Sequence, residues 1–263
     1  MTPVFEAIDL NKSFGGVAAL QAASISVEHH RIHALIGPNG AGKTTFFNCV
    51  SGHQQPESGK VLMNGVDVTG APPYRMAELG MARTFQNVEL FPAMNVLDNV
   101  LVGDHLEISE GPVAAMLRLP RHRRSERRAR SRALAALERT GTAQLAHRLA
   151  GELPYGSQRL VEIARALVGG PSVLLLDEPA AGLTAGEADI LRELLVAIAA
   201  EGSAVLLVEH DMRTVMALAE EITVLDAGRV IAVGPPGQIQ ANPVVIAAYL
   251  GVGAEESGEV AGS

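Results

Sequence analysis

The sequence predicts an α/β fold: a parallel sheet with helices around it, a small antiparallel sheet beside it, and a helical segment inserted into the chain. The apolar run IHALI leads into a glycine-rich loop and then into the helical stretch TTFFNCVSG. Two later apolar runs, at 171–178 and 203–211, end in acidic residues, which is typical of buried parallel strands that lead to a site. From about 91 to 152 the pattern is helical.

Domain boundaries follow from the same patterns. The early segments VFEAIDL and ASISVEHHRIHALI favour a small antiparallel sheet next to the core. We predict one domain at 1–250, with a core at about 1–90 and 159–250 and a helical subdomain at about 91–158. Residues 251–263 are rich in glycine, serine and glutamate, so we expect a disordered tail there.

Composition narrows the class of protein. The chain has 263 residues, 48% of them apolar, which is enough to bury a large core. Its formal charge of −8 argues against a general nucleic-acid binder. No apolar run approaches the roughly 20 residues that span a bilayer, and the first ten residues include Glu6 and Asp9. With Cys49 as its one cysteine, we expect a cytoplasmic protein without disulfides.

The most specific pattern is IGPNGAGKTT at 36–45, which lies between a predicted strand and a predicted helix. Its glycines allow a tight turn and close approach to an anion, and the amides at the helix start face phosphates. Lys43 reaches the β- and γ-phosphates, and the Thr44 hydroxyl binds Mg²⁺. The pattern therefore predicts a P-loop NTPase core, whose nucleotide-binding residues are Gly37, Pro38, Asn39, Gly40, Ala41, Gly42, Lys43, Thr44 and Thr45.

Acidic residues and a histidine follow the two later strands. In PSVLLLDEPAAGL, Asp177 is placed to hold Mg²⁺ through water, and Glu178 is placed to activate the water that attacks the γ-phosphate. In SAVLLVEHD, His210 comes to the same sheet edge as a γ-phosphate sensor. The alternatives are a strand that ends in solvated acids and a structural histidine. The phosphate loop upstream favours the catalytic interpretation.

Together these motifs resemble the ATP-binding subunit of an ABC transporter over nearly the whole chain. Phe14 in NKSFGGVAAL stands where that family has an aromatic residue that stacks on adenine. Gln86 in ARTFQNVELFP matches the Q-loop, which in the family touches Mg²⁺ and water and couples to the membrane subunit. LPYGSQ at 153–158 matches the signature LSGGQ, which contacts the γ-phosphate held by the other subunit of a head-to-tail dimer; its residues here are Tyr155, Gly156, Ser157 and Gln158.

A narrower resemblance concerns the branched-chain amino-acid importers. Their ATPase subunits are similar in SFGGVAAL, RTFQNVELFP, the Tyr155-Gly156 signature, DEPAAGL and NPVVIAAYLG. The resemblance implies ATP and Mg²⁺ as ligands, two integral-membrane permease subunits, a second ATPase subunit and, indirectly, a solute-binding protein. It implies no nucleic acid and a peripheral position on the cytoplasmic face of the inner membrane. ATPases for urea uptake and lipopolysaccharide export share much of this pattern, so the solute stays open, as does the choice between homodimer and heterodimer.

Some features depart from the family pattern. Pro154 replaces the signature serine, and Thr184 stands where the D-loop often has aspartate or asparagine. Because Pro154 supplies neither the hydroxyl nor the N–H that serine would offer, we expect the signature turn to contribute less to binding of the partner's γ-phosphate. In addition, the segment 118–132 reads RLPRHRRSERRARSR, with Glu126 as its single acid. It is either a solvated helix face or a surface that contacts phospholipid or an acidic subunit.

Three other classes of protein fit the sequence less well. A soluble ABC ATPase that acts on DNA or ribosomes would carry a second cassette or a long coiled coil, and neither is present. A regulatory module without turnover would lack Glu178 or His210, and both are present. A GTPase would carry the base-reading motif N-K-x-D, which Phe14 breaks in the stretch NKSF. An ATPase is therefore the favoured class.

Overall fold

The computed structural model describes residues 3–104 and 120–250. The predicted tail at 251–263 and the first two residues of the basic segment, at 118 and 119, lie outside these residues. Within them the strands are β1 (Phe5–Phe14), β2 (Val17–Val27), β3 (Ile32–Ile36), β4 (Ser58–Met63), β5 (Val66–Asp67), β6 (Met81–Arg83), β7 (Val173–Asp177), β8 (Ala204–Val208), β9 (Glu221–Asp226) and β10 (Arg229–Gly234).

The helices follow the glycine loop and most of the parallel strands. They are α1 (Lys43–Val50), α2 (Pro73–Glu78), α3 (Val96–Val102), α4 (Pro120–Arg139), α5 (Tyr155–Leu167), α6 (Ala185–Ala200), α7 (Met212–Leu218), α8 (Pro236–Ala241) and α9 (Pro243–Leu250). Short 3₁₀ turns lie at Ala143–Leu145 and Ala150–Glu152. None of the helices in the described ranges combines the length and the apolar character that crossing a bilayer requires.

Two sheets form the β structure. A six-stranded sheet has the order β10-β9-β3-β8-β7-β6, and all its neighbouring strands pair in parallel except β9 and β10. A four-stranded antiparallel sheet has the order β2-β1-β4-β5. This arrangement confirms the predicted fold class of a parallel P-loop core with an antiparallel subdomain and inserted helices.

Burial explains why β3, β7 and β8 form the centre of the larger sheet. Every residue of IHALI, VLLLD and AVLLV in these strands is buried. Helices cover a parallel sheet on both faces, so its central strands are continuous apolar runs rather than alternating ones. Because β3, β8 and β7 are direct neighbours and parallel, their carboxyl ends meet at one edge of the sheet. That edge carries the candidate site.

The helical part has a hydrophobic cluster of its own. Val96 and Val100 of α3 pack with Ala133 and Leu137 of α4 and with Val161 of α5. Two other residues of α5, Ile163 and Leu167, belong to the hydrophobic cluster on one face of the six-stranded sheet. The predicted subdomain boundary at 158 falls inside α5. This one helix packs in both clusters and so connects the helical part to the sheet.

The described part of the basic segment, at 120–132, forms the first 13 of the 20 residues of α4. Ala129 is buried there, whereas Arg124, Arg127 and Arg128 are exposed. Arg132 is bound to the buried Asp104 through two hydrogen bonds, of 3.2 and 2.7 Å. Arg132 therefore anchors α4 to the end of α3, while the exposed arginines leave both interpretations of this segment open.

Candidate active site

The loop between β3 and α1 is shaped by two glycines. A Cβ built on Gly37 would lie 2.0 Å from the carbonyl oxygen of Leu225. Gly42, the N-cap of α1, has a φ of 105°, and a Cβ on it would lie 2.4 Å from the carbonyl oxygen of Ala19. A side chain at either position would displace backbone, so both must be glycine. At Gly40, in the middle of the loop, a Cβ would meet no heavy atom within 4 Å.

Lys43 folds back over this loop. Its Nζ donates hydrogen bonds to the carbonyl oxygens of Gly37 at 2.7 Å and of Pro38 at 2.9 Å. Burial lowers the pKa of the Lys43 ammonium, while the negative charges of Glu178 and Asp177 oppose this shift. The ammonium is thus held above the loop in the field of two carboxylates, where an anionic ligand would gain a charged donor.

The remaining loop residues are arranged as a phosphate-binding turn requires. The backbone N–H of Ala41 donates to the carbonyl of Pro38 at 3.2 Å, which closes the turn. Asn39 and Thr44 are exposed, and Thr45 is half-buried in the first turn of α1. The loop therefore presents backbone N–H groups, the Thr44 hydroxyl and a helix N-terminus toward open space.

Asp177, the last residue of β7, is 7% exposed and lies beside Arg83. The Arg83 Nη2 is 3.4 Å from the Asp177 Oδ2, and its Nη1 donates to Asn48 Oδ1 at 2.9 Å and to Ser51 Oγ at 2.7 Å. Burial raises the pKa of the Asp177 carboxyl, and the Arg83 guanidinium acts against that rise. Sequence reasoning missed Arg83, although a charged residue in a strand just before Gln86 was an available signal.

The structure brings the three predicted catalytic residues into contact. The Gln86 Nε2 donates to the Glu178 Oε2 at 2.9 Å. The His210 Nδ1 lies 3.2 Å from the Glu178 Oε1. The Glu178 carboxylate is therefore held from both sides, by residues that follow β6 and β8, at the end of β7.

Glu209, which sequence reasoning did not single out, binds the backbone next to Glu178 and His210. It is buried, its Oε1 accepts from the Ala180 backbone N–H at 2.9 Å, and its Oε2 accepts from the His210 N–H at 3.3 Å. Burial raises the pKa of its carboxyl. An acid at the end of a buried strand was the signal, but its bonding partners depend on the tertiary fold.

The predicted signature turn lies at the start of α5. Pro154 is the N-cap, in an extended conformation and without a side-chain cap hydrogen bond. Gly156 is buried, and a Cβ on it would lie 2.0 Å from the Glu187 Oε1. A Cβ on Gly182 would lie 3.0 Å from the Tyr155 ring. The turn thus packs against the segment that follows Glu178.

Within one chain, Gln158 of the turn makes a hydrogen bond to a neighbouring residue. The Gln158 Nε2 donates to the carbonyl of Leu153 at 2.9 Å, and Ser157 is half-buried. Between the described residues of the turn and the phosphate loop there is no hydrogen bond. The structure therefore does not bring these two predicted nucleotide-binding groups together within one chain.

Thr184, an unexpected residue in the D-loop, has a clear local role. It is the N-cap of α6 and forms a capping box with Glu187. The Thr184 N–H and hydroxyl donate to the Glu187 Oε2 at 2.9 and 2.8 Å. Threonine satisfies the helix start in this way, and the same Glu187 packs against Gly156.

Phe14 ends β1 as an exposed aromatic residue, with 45% of its surface accessible. The Lys12 Nζ is 5.4 Å from the centre of its ring. Ala19, in the second strand of the same hairpin, lies against Gly42. The hairpin that carries Phe14 is therefore packed beside the phosphate loop, which suits a base-stacking surface.

The fold and this arrangement define a P-loop ATPase in which Gln86 and His210 both contact Glu178 at the end of β7. The family model described as ABC transporter matches residues 20–181. The chain therefore belongs to the ABC transporter family and is an ABC-type ATPase. A second family model, described as branched-chain amino acid ATP-binding cassette transporter, matches residues 229–255.

Relatives of known type are similar to this chain over nearly its full length. The chain is 43% identical over 250 residues to the high-affinity branched-chain amino acid transport ATP-binding protein BraF of Pseudomonas aeruginosa, covering 95% of this chain and 98% of that protein. It is 42% identical, with the same coverage, to the protein LivG of Escherichia coli. A probable LivG of Archaeoglobus fulgidus is 35% identical over 94% of this chain and 95% of its own length.

Solved structures show the same fold. An ATP-binding cassette of an ABC transporter in its ADP conformation superposes with a TM-score of 0.84 at 30% identity, over 95% of this chain and 100% of the other. A nucleotide-free cassette gives 0.82 at 30% identity, over 94% and 99%. The family resemblance, the fold class and the ATPase class predicted from the sequence are thereby confirmed, whereas the roles of individual residues stay predictions.

The first prediction concerns Glu178. The Glu178→Gln variant should bind ATP normally but lose hydrolysis by about 10²–10⁴-fold, because an amide keeps the shape of the carboxylate but cannot accept a proton. Steady-state phosphate release and equilibrium nucleotide binding measure the two effects. Glu138→Gln, an exposed change on α4, serves as the matched control. Parental turnover in Glu178→Gln would show that Glu178 is not the base.

The second prediction concerns Lys43. Lys43→Ala should weaken ATP binding by about 1.5–3 kcal/mol, since it removes a charged donor from the phosphates. Isothermal titration calorimetry with ATP measures this loss directly. Lys60→Ala removes an equal charge from an exposed position on β4 and should leave the affinity unchanged. Equal affinities for the parent and Lys43→Ala would remove Lys43 from the phosphate site.

Proposed function

We propose that the chain is the ATP-hydrolysing subunit that powers import of branched-chain amino acids through separate membrane subunits. The observation that carries ATP hydrolysis is the contact of Gln86 and His210 with Glu178 at the sheet edge that also holds the phosphate loop. The solute is supported by the full-length likeness to BraF and LivG and by the second family match at 229–255.

The residues have distinct tasks in the proposed reaction. Glu178 accepts a proton from the water that attacks the γ-phosphate, and its carboxylate is oriented by the two contacts from Gln86 and His210. Lys43 and the loop amides balance the negative charge of the phosphates. The exposed Phe14 stacks on adenine. Glutamate, glutamine and histidine thus act on one water, while the loop holds the nucleotide.

Mg²⁺ fits the residues present at this edge. Asp177 offers a buried carboxylate, Thr44 an exposed hydroxyl and Gln86 an amide oxygen, with Asp177 acting through water. Mg²⁺ is usually held by one or two protein oxygens together with water and substrate phosphates, which is the set available here. When bound, Mg²⁺ supplies positive charge to the β- and γ-phosphate oxygens.

A cleft beside Gln86 is the proposed contact with the membrane subunits. Phe85, Phe91 and Val102 are exposed large apolar residues at this cleft, and Glu89 and Arg165 also line it. Exposed apolar side chains with a charged rim are typical of protein interfaces. In the proposed assembly, each of two ATPase subunits binds one permease subunit through this cleft. The ATPase subunits then lie on the cytoplasmic face of the inner membrane. The solute-binding protein would act through the permeases.

The proposed partner of the signature turn is the nucleotide of a second ATPase subunit, either this chain or a related one. The turn begins a helix of 13 residues, whose free N–H groups and positive end favour an anion. Nucleotide bound at each phosphate loop would then join two subunits head to tail, and hydrolysis would release them.

The function is tested by reconstitution with permease subunits and a solute-binding protein in sealed vesicles. We expect leucine, isoleucine and valine, but not urea, to raise ATP hydrolysis and to accumulate only when ATP is present. The Glu178→Gln variant is the control for energy coupling. Hydrolysis and uptake that respond to urea, or hydrolysis that responds to no solute in the complete assembly, would contradict the proposal.

The third prediction concerns Pro154. A serine at this N-cap would add a hydroxyl donor toward the partner's γ-phosphate, so Pro154→Ser in the Glu178→Gln background should tighten ATP-driven dimerisation by at most about 1.5–3 kcal/mol. Pro154→Ala, which removes the ring without adding a hydroxyl, should give no such gain. Analytical ultracentrifugation with and without ATP compares the two variants.

An acidic residue in the same turn should have the opposite effect. Gly156→Asp is unsuitable, because its Cβ would collide with Glu187 and disturb the fold. Ser157 is half-buried, and Ser157→Glu brings a carboxylate to the turn without that collision. Ser157→Glu should abolish ATP-driven dimerisation. If neither the serine nor the glutamate changes dimerisation, the turn does not face nucleotide.

A further inference from the structure

Arg159 occupies an unusual place, just after the signature turn. It is completely buried, at 0% exposure, in the second turn of α5. Its Nη1 donates to the carbonyl oxygen of Phe85 at 2.7 Å. Its Nη2 donates to the carbonyl oxygens of Gln86 at 2.9 Å and of Glu178 at 3.0 Å. One guanidinium thus binds the backbone of both the Q-loop and the catalytic glutamate.

The charge of Arg159 is balanced inside the protein. Its Nη1 also donates to the Oε2 of the buried Glu162 at 2.7 Å. Burial raises the pKa of the Glu162 carboxyl, and Arg159 opposes this shift. The Arg159 Nε–H has no hydrogen-bond partner in the described part of the chain. A buried ion pair is often replaceable by apolar residues without loss of stability, so its presence is weak evidence for a purely stabilising role.

The backbone of Glu178 needs support of this kind. Its φ is 47°, in the left-handed region that residues other than glycine adopt at a cost in free energy. Its N–H donates to the Val208 carbonyl at 2.9 Å, and its carbonyl accepts from the Ala181 N–H at 3.1 Å and from Arg159. These bonds fix the conformation in which the Glu178 side chain meets Gln86 and His210.

We propose that Arg159 is a positioning residue. It fixes the backbones of Glu178 and Gln86 relative to each other and links both to the start of α5, where the signature turn lies. This inference rests on the proposed ATP hydrolysis at Glu178. Neither Arg159 nor Glu162 touches the nucleotide in this account. Arg159 acts through the backbones of the two residues that orient the attacking water.

The position of Arg159 on α5 gives the proposal a consequence. The signature turn at 154–157 lies only one helical turn before Arg159 on the same rigid element. A shift of this turn as it engages the partner's nucleotide would therefore move the guanidinium. Each subunit would then adjust its own Glu178 when its signature turn binds the nucleotide of its partner.

The test compares variants of the full-length chain. Arg159→Met/Glu162→Leu replaces the ion pair by apolar residues of similar volume. We expect kcat for ATP to fall by at least tenfold, while KM for ATP, equilibrium ATP affinity and Tm stay close to the parent. Arg159→Lys keeps the charge but loses the fork that binds several carbonyls, so it should recover part of kcat. Arg75→Met/Glu78→Leu, which removes an exposed ion pair of the same sequence spacing on α2, should leave kcat unchanged.

A double-mutant cycle separates positioning from a structural role. Because Arg159 acts through Glu178, adding the apolar pair to Glu178→Gln should change the residual hydrolysis by less than twofold. A structural role would instead lower Tm, ATP affinity and residual hydrolysis together. If the apolar pair does not fold, Arg159→Lys carries the test, with an intermediate kcat at parental KM and Tm expected.

Two failures are distinguishable. A parent chain without ATP hydrolysis would overturn the proposed function. A parent that hydrolyses ATP, together with an apolar-pair variant or Arg159→Lys that keeps parental kcat, would overturn the positioning role alone. Loss of ATP affinity in step with kcat in both variants would also overturn it.

Discussion

Three neighbouring parallel strands end at one edge of the central sheet, and the whole site depends on this constraint. The order β3-β8-β7 brings the phosphate loop, the pair Glu209-His210 and Glu178 to that edge. β6, paired with β7, adds Gln86 from the side. Each strand is held in place by burial on both faces, so the chemistry rests on a rigid apolar support rather than on the loops themselves.

Much of this was predictable from local patterns. The phosphate loop is predictable because glycine spacing, an apolar strand and a following helix coincide in a few residues, and two of its glycines, Gly37 and Gly42, lie where a Cβ would collide with backbone. The strand ends were recognised because acids follow uninterrupted apolar runs. Since parallel strands end at one edge, the contact of Glu178 with His210 follows from those runs once the sheet is assumed.

The remainder depends on contacts between distant parts of the chain. Arg159 and Phe85 are separated by 74 positions, and nothing around either residue indicates that they meet. Likewise, the close approach of Glu187 to Gly156 cannot be predicted from the sequence around either residue. The predicted boundary at 158 lies within α5, a helix that packs in two clusters at once. A residue-by-residue pattern cannot report which elements share a core.

We propose that a complete site needs the phosphate loop of one subunit and the signature turn of another. Disulfide trapping of Asn39→Cys with Ser157→Cys, in the Glu178→Gln background, tests it most directly, since Asn39 is exposed, Ser157 is half-buried and the native Cys49 is buried. We expect a covalent dimer that forms with ATP and not without it. Only an intrachain disulfide, a dimer that forms equally without ATP, or no cross-link at all would contradict the two-subunit site.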